Sequence, residues 1–493
     1  MRILLAASEM VPFAKTGGLG DVIGALPQAL AGQGHDVRVF IPHYGFLDTA
    51  DHHLEPLGWT LRIPVADKHV VMSLSRAVDR KSGLKCYFVG NPDYFNRRGL
   101  YGHHDTKQDF VDNDERFAFF SRAILETARK LAFRPDIVHL HDWQTALVAV
   151  YLKTVYSEDP FFADTKSVLT IHNLAHQGNF DAARFDVLGL SDGLIQPTAS
   201  LEFFGQMSYL KGGIVLADQV TTVSPRYAQE IQTGKFGCGL DGVLRERSGD
   251  LHGILNGVDY GSWSPSRDNL LPHKYHPANL SGKRMNKIEL LGVAGLPVRQ
   301  GTPLVGMITR LVHQKGLDLI RDAADRMFAM DLQMVVLGTG EEKYHKLLTM
   351  LENKYPDKLK VYLAHDERLA HLIEGAADIF LMPSLFEPCG LNQMYSLKYG
   401  TVPIVNSVGG LVDTVVDCDP EDGSGTGFVF NEETPEALLG SLDRALTSFA
   451  RRRLWMKIMK AGMKQDFSWR LSVKRYLSLF EQLVGQHRMT VPD

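Results

Sequence analysis

Short apolar runs alternate with longer amphipathic stretches along two regions of the chain. In the first region, each run rich in Val, Ile and Leu is followed by a turn or by the start of a helix. The runs that predict strands are residues 3–7, 37–41, 136–140, 167–171 and 219–223. Continuous apolar strands separated by helices are typical of a parallel sheet that is covered on both faces.

The same pattern begins again in a second region. Its predicted strands are residues 304–308, 333–337, 359–363, 379–382 and 402–405. Residues 256–302 are polar and rich in turn residues, and we place the domain boundary in this segment. The chain from Pro435 to Gln486 is mostly helical, and Thr434 is predicted to cap its start. The predicted fold class is α/β, with two doubly wound domains that face each other across a cleft.

The composition excludes several classes of protein. The 493 residues include 53 Lys and Arg against 57 Asp and Glu, which gives a net charge of −4. Affinity for nucleic acid is built on clustered basic residues, so we expect no nucleic-acid partner. No apolar run approaches the roughly 20 residues that span a bilayer, and the apolar start of the chain is too short for a signal peptide. We therefore expect a cytoplasmic protein that has no membrane partner.

Cysteine and histidine spacing argues against a metal site. Cys86, Cys238, Cys389 and Cys418 lie far apart and form no CxxC pair, so neither a disulfide framework nor a structural zinc site is expected. His139 and His141 lie on one side of a strand end, but a metal there needs a third ligand that the local sequence does not provide. The prediction for metals is therefore none.

The residues after that strand suit a sugar better than a metal. The Asp142 carboxylate can accept hydrogen bonds from hydroxyl groups, and the Trp143 indole can face the apolar plane of a sugar. The alternative is that His139 is a satisfied sheet residue and Trp143 belongs to the core. His172 ends another strand and either reaches the same cleft or is structural.

A glycine-rich loop follows the first predicted strand. It runs from Lys15 through Gly17, Gly18 and Gly20 to Asp21, and a helix is predicted from about Asp21. Adjacent glycines let backbone N–H groups approach an anion, and a helix N-terminus adds positive potential. The loop is neither a Walker A loop nor a GxGxxG loop. It either binds phosphate or is a tight turn with a solvated lysine.

Two segments of the second domain also end strands with chemistry-bearing residues. Arg310 and Lys315 could neutralise a diphosphate, or they could be exposed cations on a loop. In residues 383–393, a turn presents Glu387 and Gly390 opens a new helix, which offers a carboxylate for hydroxyl groups and free N–H groups for phosphate. Cys389 has no evident partner base and is interpreted as a packed thiol.

Taken together, these motifs resemble the family of bacterial glycogen synthases and plant starch synthases over nearly the whole chain. The residues that carry the resemblance are 15–22, 141–144, 171–174, 256–259, 314–318, 386–393, 398–401 and 409–411. The resemblance implies a glycosyltransferase-B fold that transfers glucose from ADP-glucose to the non-reducing 4-hydroxyl of an α-1,4-glucan. It implies retention at the anomeric carbon by front-face displacement, with no cofactor and no metal.

The resemblance also assigns roles to individual residues and ranges. Residues 1–260 are the N-terminal domain on the acceptor side, 261–470 bind the nucleotide sugar, and the helix at 471–493 crosses back to the N-terminal domain. The residues assigned to ADP-glucose are Lys15, Gly17, Gly18, Asn256, Arg310, Lys315, His365, Cys389, Gly390 and Leu391. The residues assigned to catalysis are Arg310, Lys315, Glu387, His172 and Asp142. The residues assigned to the acceptor are Asp21 and Tyr94; Tyr94 and Phe95 form either an exposed aromatic pair on a glucan site or a packed loop anchor.

Three positions depart from the family pattern. Tyr395 stands where related glycosyltransferases have a second glutamate, and Leu385 stands where many bacterial relatives have Arg. His365 stands where relatives usually have Tyr or Phe stacked on the adenine, which keeps a UDP-glucose donor or a small acceptor open as an alternative. A non-catalytic glucan-binding paralogue is a second alternative. An NAD-dependent oxidoreductase would need a GxGxxG loop with an acidic residue about twenty positions later, and the chain has none. The sequence does not indicate an oligomeric state.

Overall fold

The structure is a computed structural model that describes residues 1–47, 52–79, 82–103 and 108–490, without the side chains of 486–490. The chain divides into two compact units. The first unit contains Met1–Val223, Ala228–Gly257 and the chain from Trp469 on, and the second contains Ser224–Tyr227 and Val258–Ser468. The C-terminal helix thus belongs to the first unit. The roles that we predict for the two domains stay predictions.

The first unit is built around a large, mostly parallel sheet. Its strands, in chain order, are β1 (Arg2–Ala6), β2 (Asp36–Pro42), β3 (Glu55–Val65), β4 (Lys68–Val78), β5 (Lys85–Gly90), β6 (Ile137–His141), β7 (Lys166–Ile171), β8 (Asn179–Asp181), β9 (Glu202–Phe203), β10 (Gln206–Ser208), β11 (Gln219–Thr222) and β12 (Leu251–Gly253). The order in the large sheet is β12-β11-β7-β6-β1-β2-β5-β4-β3. Strands from β12 to β5 are parallel, and β4 and β3 extend the edge as an antiparallel hairpin. Strands β8, β10 and β9 form a small antiparallel sheet.

The second unit has one parallel sheet in the part of the chain that the structure describes. Its strands are β13 (Leu304–Ile308), β14 (Gln333–Leu337), β15 (Leu359–Tyr362), β16 (Ile379–Met382), β17 (Val402–Asn406) and β18 (Phe428–Phe430). The order β15-β14-β13-β16-β17-β18 is the doubly wound order in which the chain first moves one way from β13 and then the other way from β16.

Helices connect these strands and cover the sheets. In chain order they are α1 (Gly18–Ala31), α2 (Pro92–Phe95), α3 (Asn113–Lys130), α4 (Trp143–Lys153), α5 (Tyr209–Leu216), α6 (Pro225–Glu230), α7 (Asp241–Glu246), α8 (Ser281–Ala294), α9 (Leu317–Ala329), α10 (Glu342–Lys354), α11 (Glu367–Ala376), α12 (Asn392–Tyr399), α13 (Gly409–Thr414), α14 (Pro435–Ala450), α15 (Arg452–Met463) and α16 (Trp469–Thr490). None of them, over the described ranges, is long and apolar enough to cross a membrane.

The apolar pattern located ten of the thirteen parallel strands that the two large sheets have in the described residues, and it missed β5, β12 and β18. All ten predicted strands are present, and those at 304–308, 333–337 and 379–382 have the predicted bounds. The Thr434 side chain accepts a hydrogen bond from the N–H of Ala437, so the predicted cap is confirmed. The first helix begins at Gly18, three residues before the predicted start.

Strands β3 and β4 were missed because they do not have the pattern of buried parallel strands. Strand β3 contains Pro56, Gly58 and Pro64, and its residues alternate between exposed and more buried positions. Proline removes a backbone donor and is tolerated at the edge of a sheet, which is where β3 lies. A hairpin on a sheet edge therefore carries a weaker sequence signal than the core strands.

Candidate active site

Both sheets reverse their strand order at one point, and the loops that follow the strands there carry most of the predicted site residues. In the first unit the reversal lies between β1 and β6, and in the second it lies between β13 and β16. In doubly wound sheets, ligands bind outside the carboxyl ends of the strands at such a reversal. Each unit therefore has a candidate binding edge of its own.

In the first unit, the loop after β1 contains Lys15 and the predicted glycines. The Nζ of Lys15 lies 2.7 Å from Oδ1 of Asp21, in an ion pair whose side chains are partly exposed. A Cβ on Gly20 would lie 3.1 Å from the side chain of Lys15, so this glycine leaves room for the lysine stem. Gly18 begins α1, with Gly17 in extended conformation before it.

Glu9 holds this loop in place, a role that was not predicted from the sequence. Its carboxylate accepts hydrogen bonds from the N–H of Thr16 at 2.6 Å, the hydroxyl of Thr16 at 2.6 Å, the N–H of Gly17 at 3.2 Å and the hydroxyl of Tyr101 at 2.7 Å. Glu9 is buried. The Gly17 N–H is thus directed to Glu9. A carboxylate three residues beyond the end of β1 was the available signal.

Asp142 follows β6 at the other side of the reversal. It has a φ of 58°, which is unusual for a residue other than glycine and stores strain. Its Oδ1 accepts a hydrogen bond of 2.7 Å from the N–H of His172. Burial raises the pKa of Asp142 to about 7, and the negative charge of Glu9 adds to this, while the N–H groups of His172 and Asn173 act in the opposite direction.

The rings of three histidines lie close together, and the backbone N–H of one of them, His172, donates to Asp142. Nε2 of His139 lies 2.7 Å from the hydroxyl of Thr170, and Nδ1 of His141 lies 2.9 Å from Nε2 of His172. Burial lowers the pKa of His139 and of His172 to about 3, and it lowers the pKa of His141 well below its ordinary value. The three rings are therefore neutral at physiological pH. Trp143 is buried, so the alternative that it belongs to the core is confirmed. His139 is a buried sheet residue with only one ring nitrogen hydrogen-bonded, because its Nδ1 has no partner among the described residues.

Two further residues assigned to the first unit have distinct positions. Asn256 is buried in the loop after β12, and its Oδ1 has no hydrogen-bond partner among the described residues. Tyr94 and Phe95 are buried, not exposed, and the Tyr94 hydroxyl donates to Glu115. Of the two alternatives, the exposed aromatic pair is wrong and the packed loop anchor is confirmed, because α2 packs these rings against Phe119 of α3.

In the second unit, Lys315 and Glu387 meet at the reversal between β13 and β16. The Nζ of Lys315 lies 2.5 Å from Oε2 of Glu387, and the side chains are 15% and 8% exposed. The hydroxyl of Ser384 donates to the same oxygen at 2.9 Å. Arg310 is exposed on the loop after β13. The pair brings a cation and a carboxylate to the predicted sugar and phosphate side of the sheet.

Two hydrogen bonds hold the two loops together. The backbone N–H of Leu385 donates to the carbonyl of Gln314 at 2.8 Å, and the side-chain amide of Gln314 donates to the carbonyl of Phe386 at 2.9 Å. Gly316 has a φ of +70°, and a Cβ there would lie 1.9 Å from the carbonyl oxygen of Pro383. The close approach of the loops thus requires glycine at this position.

Replacing Gly316 by alanine is expected to destabilise the protein by about 3 kcal/mol, since it adds a clash with backbone to the cost of a left-handed conformation. Gly295 is the matched control, because it has a φ of +66° and an added Cβ there would meet nothing within 4 Å. Gly295→Ala carries only the conformational cost of about 1 kcal/mol. Urea unfolding of both variants checks this, and equal losses would contradict the role given to the Pro383 contact.

The segment from Cys389 to Leu391 lies between Glu387 and α12. Gly390 has a φ of +70°, and Cys389 is buried. A Cβ on Gly410 would lie 2.2 Å from the carbonyl oxygen of Cys389, so the start of α13 packs directly against this segment. The N–H of Gly410 donates to the carbonyl of Glu387 at 3.0 Å. The interpretation of Cys389 as a packed thiol agrees with its burial.

The positions that depart from the family pattern lie in different surroundings. His365 is exposed on the loop between β15 and α11. Tyr395 is buried in α12, and its ring stacks on Trp263 with centroids 4.0 Å apart. Tyr395 therefore packs within the second unit instead of supplying a second carboxylate. Among the described residues, no cluster of His, Cys, Asp or Glu could hold a metal ion.

The pH dependence of stability is expected to change in Asp142→Asn. A carboxyl whose pKa is raised by folding makes the folded state less stable as pH rises from its unfolded value of about 4 to its folded value of about 7. The wild type should therefore lose up to about 1.4 kcal/mol per pH unit relative to Asp142→Asn across this window. Urea unfolding of both proteins from pH 4 to 8 measures the difference. A pH-independent difference would show that Asp142 titrates as an ordinary aspartate.

Comparison with known proteins identifies the family. The model of the starch synthase catalytic domain matches residues 2–246, and the model of glycosyl transferases group 1 matches residues 294–460. Glycogen synthases from Koribacter versatilis and Anaeromyxobacter dehalogenans are 46% and 47% identical over 484 residues, covering 98% of this chain and 98% and 100% of theirs.

Solved structures agree with these matches. The catalytic domain of starch synthase IV from Arabidopsis thaliana, bound to ADP and acarbose, is 34% identical with a TM-score of 0.90, over 98% of this chain and 99% of that one. Sucrose-phosphate synthase from Thermosynechococcus elongatus shares the fold at 16% identity and a TM-score of 0.61, over 98% of this chain and 99% of that one. The predicted glycosyltransferase-B fold and enzyme class are confirmed. The chain belongs to the glycogen synthase and starch synthase family of glycosyltransferases.

Proposed function

We propose that this enzyme transfers glucose from ADP-glucose to the non-reducing end of an α-1,4-glucan, with retention at the anomeric carbon. The observation that carries the proposal is full-length similarity to glycogen synthases, together with the 34% identical starch synthase IV that binds ADP and acarbose. The partners are a nucleotide-sugar donor and a glucan acceptor. A cytoplasmic location is part of the proposal, in keeping with four widely spaced cysteines that remain thiols.

In the second unit, the proposed role of the site residues is to neutralise the negative charge of the leaving diphosphate. As the bond between glucose and diphosphate breaks, negative charge grows on the departing phosphate. Lys315, held in place by Glu387, and Arg310 supply positive charge to it, and preorganised charges of this kind usually contribute the largest catalytic term. The N–H groups from Cys389 to Leu391 contact phosphate, and Glu387 accepts hydrogen bonds from glucose hydroxyls. His365 stacks on the base.

In the first unit, the proposed work is to hold the sugar and the donor. Asp142 fixes the backbone of His172 through the bond to its N–H, so the His172 carbonyl and side chain are set beside the anomeric carbon. Lys15, with the backbone of Gly18 and with Asn256, contacts the donor. The N–H of Gly17, which the resemblance also assigns to the donor, is bound by Glu9 instead. Asp21 orients Lys15 through their ion pair and lies on the acceptor side. Tyr94 is a weaker acceptor candidate because its ring is buried.

The proposed mechanism is front-face displacement. The acceptor hydroxyl attacks on the face from which the diphosphate leaves, and the departing phosphate takes the proton of that hydroxyl. No covalent glycosyl-enzyme forms under this scheme, so a pair of carboxylates acting as nucleophile and acid is not needed. The neutral rings of His141 and His172 give the site polar contacts without a charge that would oppose positive charge on the sugar.

The testing experiment is glucose incorporation into glycogen from ADP-glucose and from UDP-glucose, side by side. We expect ADP-glucose to be strongly preferred. Lys15→Ala should lower kcat/KM for it by about tenfold to a hundredfold, the usual worth of a hydrogen bond to a charged group. Transfer from UDP-glucose at an equal or higher rate would move the donor assignment and point to His365. No incorporation from either donor, with ADP still bound, would favour the non-catalytic paralogue.

A further inference from the structure

Gln393 makes an unusual set of contacts beneath the proposed phosphate-binding segment. It is fully buried in the first turn of α12. Its Nε2 donates to the carbonyl of Cys389 at 2.9 Å and to the carbonyl of Gly390 at 3.1 Å, and it also lies 3.1 Å from the hydroxyl of Thr414. One side-chain amide thus holds two consecutive backbone carbonyls on the inner side of the segment.

Because the peptide bond is planar, the hydrogen bonds to the two carbonyls also fix the directions of the N–H groups that follow them. In a trans peptide, the carbonyl of one residue and the N–H of the next point in opposite directions. Pinning the carbonyls of Cys389 and Gly390 inward therefore turns the N–H groups of Gly390 and Leu391 outward. Neither N–H has a hydrogen-bond partner among the described residues. Two adjacent outward N–H groups form a concave site that suits an anion.

Other contacts also favour this backbone conformation of the segment from Cys389 to Leu391. Gly390 has a φ of +70°, which places the two peptides in the bent arrangement that such a site requires. The hydroxyl of Thr414 donates to the carbonyl of Gly410 at 2.6 Å and lies against the Gln393 amide, so α13 supports the amide from below. Rotating the N–H groups back into the protein would break the hydrogen bonds that the Gln393 amide donates to the carbonyls of Cys389 and Gly390.

We propose that Gln393 is a positioning residue for the diphosphate of the donor, acting through the backbone of Cys389 and Gly390. The proposal rests on the donor site assigned above, and it adds to that site a side chain that touches neither substrate. It predicts that loss of the Gln393 amide weakens binding of the phosphates while binding of the glucan and of the nucleoside stays the same.

The test compares Gln393→Met with Gln333→Met. Gln333 is also fully buried, its Nε2 donates to two backbone carbonyls at 2.9 and 3.2 Å, and its Oε1 has no partner in the described part of the chain, as is true of Gln393. Gln333 lies at the amino end of β14, whereas the site lies at the carboxyl ends of the strands. The two substitutions thus remove equivalent hydrogen bonds from different places.

We expect Gln393→Met to raise the Kd for ADP and the KM for ADP-glucose by about tenfold, the loss of two net hydrogen bonds. Calorimetry measures the affinity for ADP and for adenosine, and kinetics measure the KM for glycogen. A purely structural role would change all three, whereas a positioning role changes only the affinity for ADP. Adenosine affinity and the KM for glycogen should not change. Gln333→Met should lose similar stability and keep the wild-type Kd for ADP.

Several outcomes would overturn the proposal. An unchanged Kd for ADP in Gln393→Met overturns it, as does an equal weakening of ADP and adenosine, or an equal effect in Gln333→Met. If Gln393→Met does not fold, Thr414→Val, which removes the hydroxyl that supports the amide, should weaken ADP by a smaller factor, and no weakening overturns the proposal. Lys315→Met is measured alongside; if it too leaves ADP binding intact, the donor site itself is misassigned.

Discussion

Replacing Lys315 by methionine is expected to lower kcat by about a hundredfold to a thousandfold, because removing one preorganised donor to a developing charge costs about 3–4 kcal/mol. The physical reason lies in the surroundings of the ammonium group, which lies 2.5 Å from Glu387 and is only 15% exposed. A charge held in place and shielded from water interacts strongly with a leaving diphosphate. The KM for glycogen should stay near its wild-type value, since the lysine acts on the donor.

The control for this variant is Lys360→Met. Lys360 forms an ion pair of 2.6 Å with Glu352 in the same unit, but that pair is more exposed and lies away from the reversal point of the sheet. Exposed pairs contribute about 0–1 kcal/mol to stability, and this one touches no site residue. Turnover of Lys360→Met should equal that of the wild type. A Lys315→Met enzyme with turnover within a few-fold of the wild type would remove Lys315 from the catalytic group.

The two large sheets have the same arrangement of strands and chemistry-bearing loops at their reversal points. Each unit reverses its strand order once beside its first strand, between β1 and β6 or between β13 and β16. At both reversals a basic residue follows the first of these strands, and a carboxylate follows the second: Lys15 and Asp142 in the first unit, Lys315 and Glu387 in the second. The parallel sheets thus bring a basic and an acidic residue to the loops after neighbouring strands, and in the second unit the two side chains form an ion pair.

The sequence predicted these loops because the strands that lead into them are strongly apolar. A run such as 304–308 has a clear start and end, so the position of Arg310 and Lys315 just beyond it could be inferred. Amphipathic or edge elements were less visible, as β3 and β4 illustrate. Whether Tyr94 is buried or exposed could not be predicted, because a four-residue helix in a loop has no periodic pattern. The ring of Tyr94 is buried only because α2 packs on α3.

Contacts that hold the site loops in place could not be predicted from the sequence either. Glu9 and Tyr101 are 92 positions apart, so their hydrogen bond depends on the tertiary fold and has no local sequence signal. Gln393 was visible as part of a motif, yet the direction of its amide depends on the bend at Gly390. Sequence patterns thus located the groups that face a ligand better than the groups that hold those in place.

Glu387→Gln is expected to lower kcat by about a hundredfold or more, comparable to the loss of a preorganised charged group. The substitution keeps the shape of the side chain and its ability to accept a hydrogen bond from Ser384, but it removes the negative charge that fixes Lys315. It also leaves the ammonium group of Lys315 in a mostly buried place without a counter-charge. Breaking one partner of a buried pair costs about 3–5 kcal/mol of stability.

The double variant Lys315→Met with Glu387→Gln separates the two effects. With both charges gone, no buried charge is left uncompensated, so urea unfolding should show higher stability than in either single variant. Its kcat should remain as low as that of the worse single variant, because the two groups act on the donor as one unit and their losses do not add. Losses in kcat that multiply would mean that the two groups act independently. Recovery of kcat along with stability would mean that the pair serves folding alone, and the neutralisation of the leaving diphosphate would then have to come from Arg310.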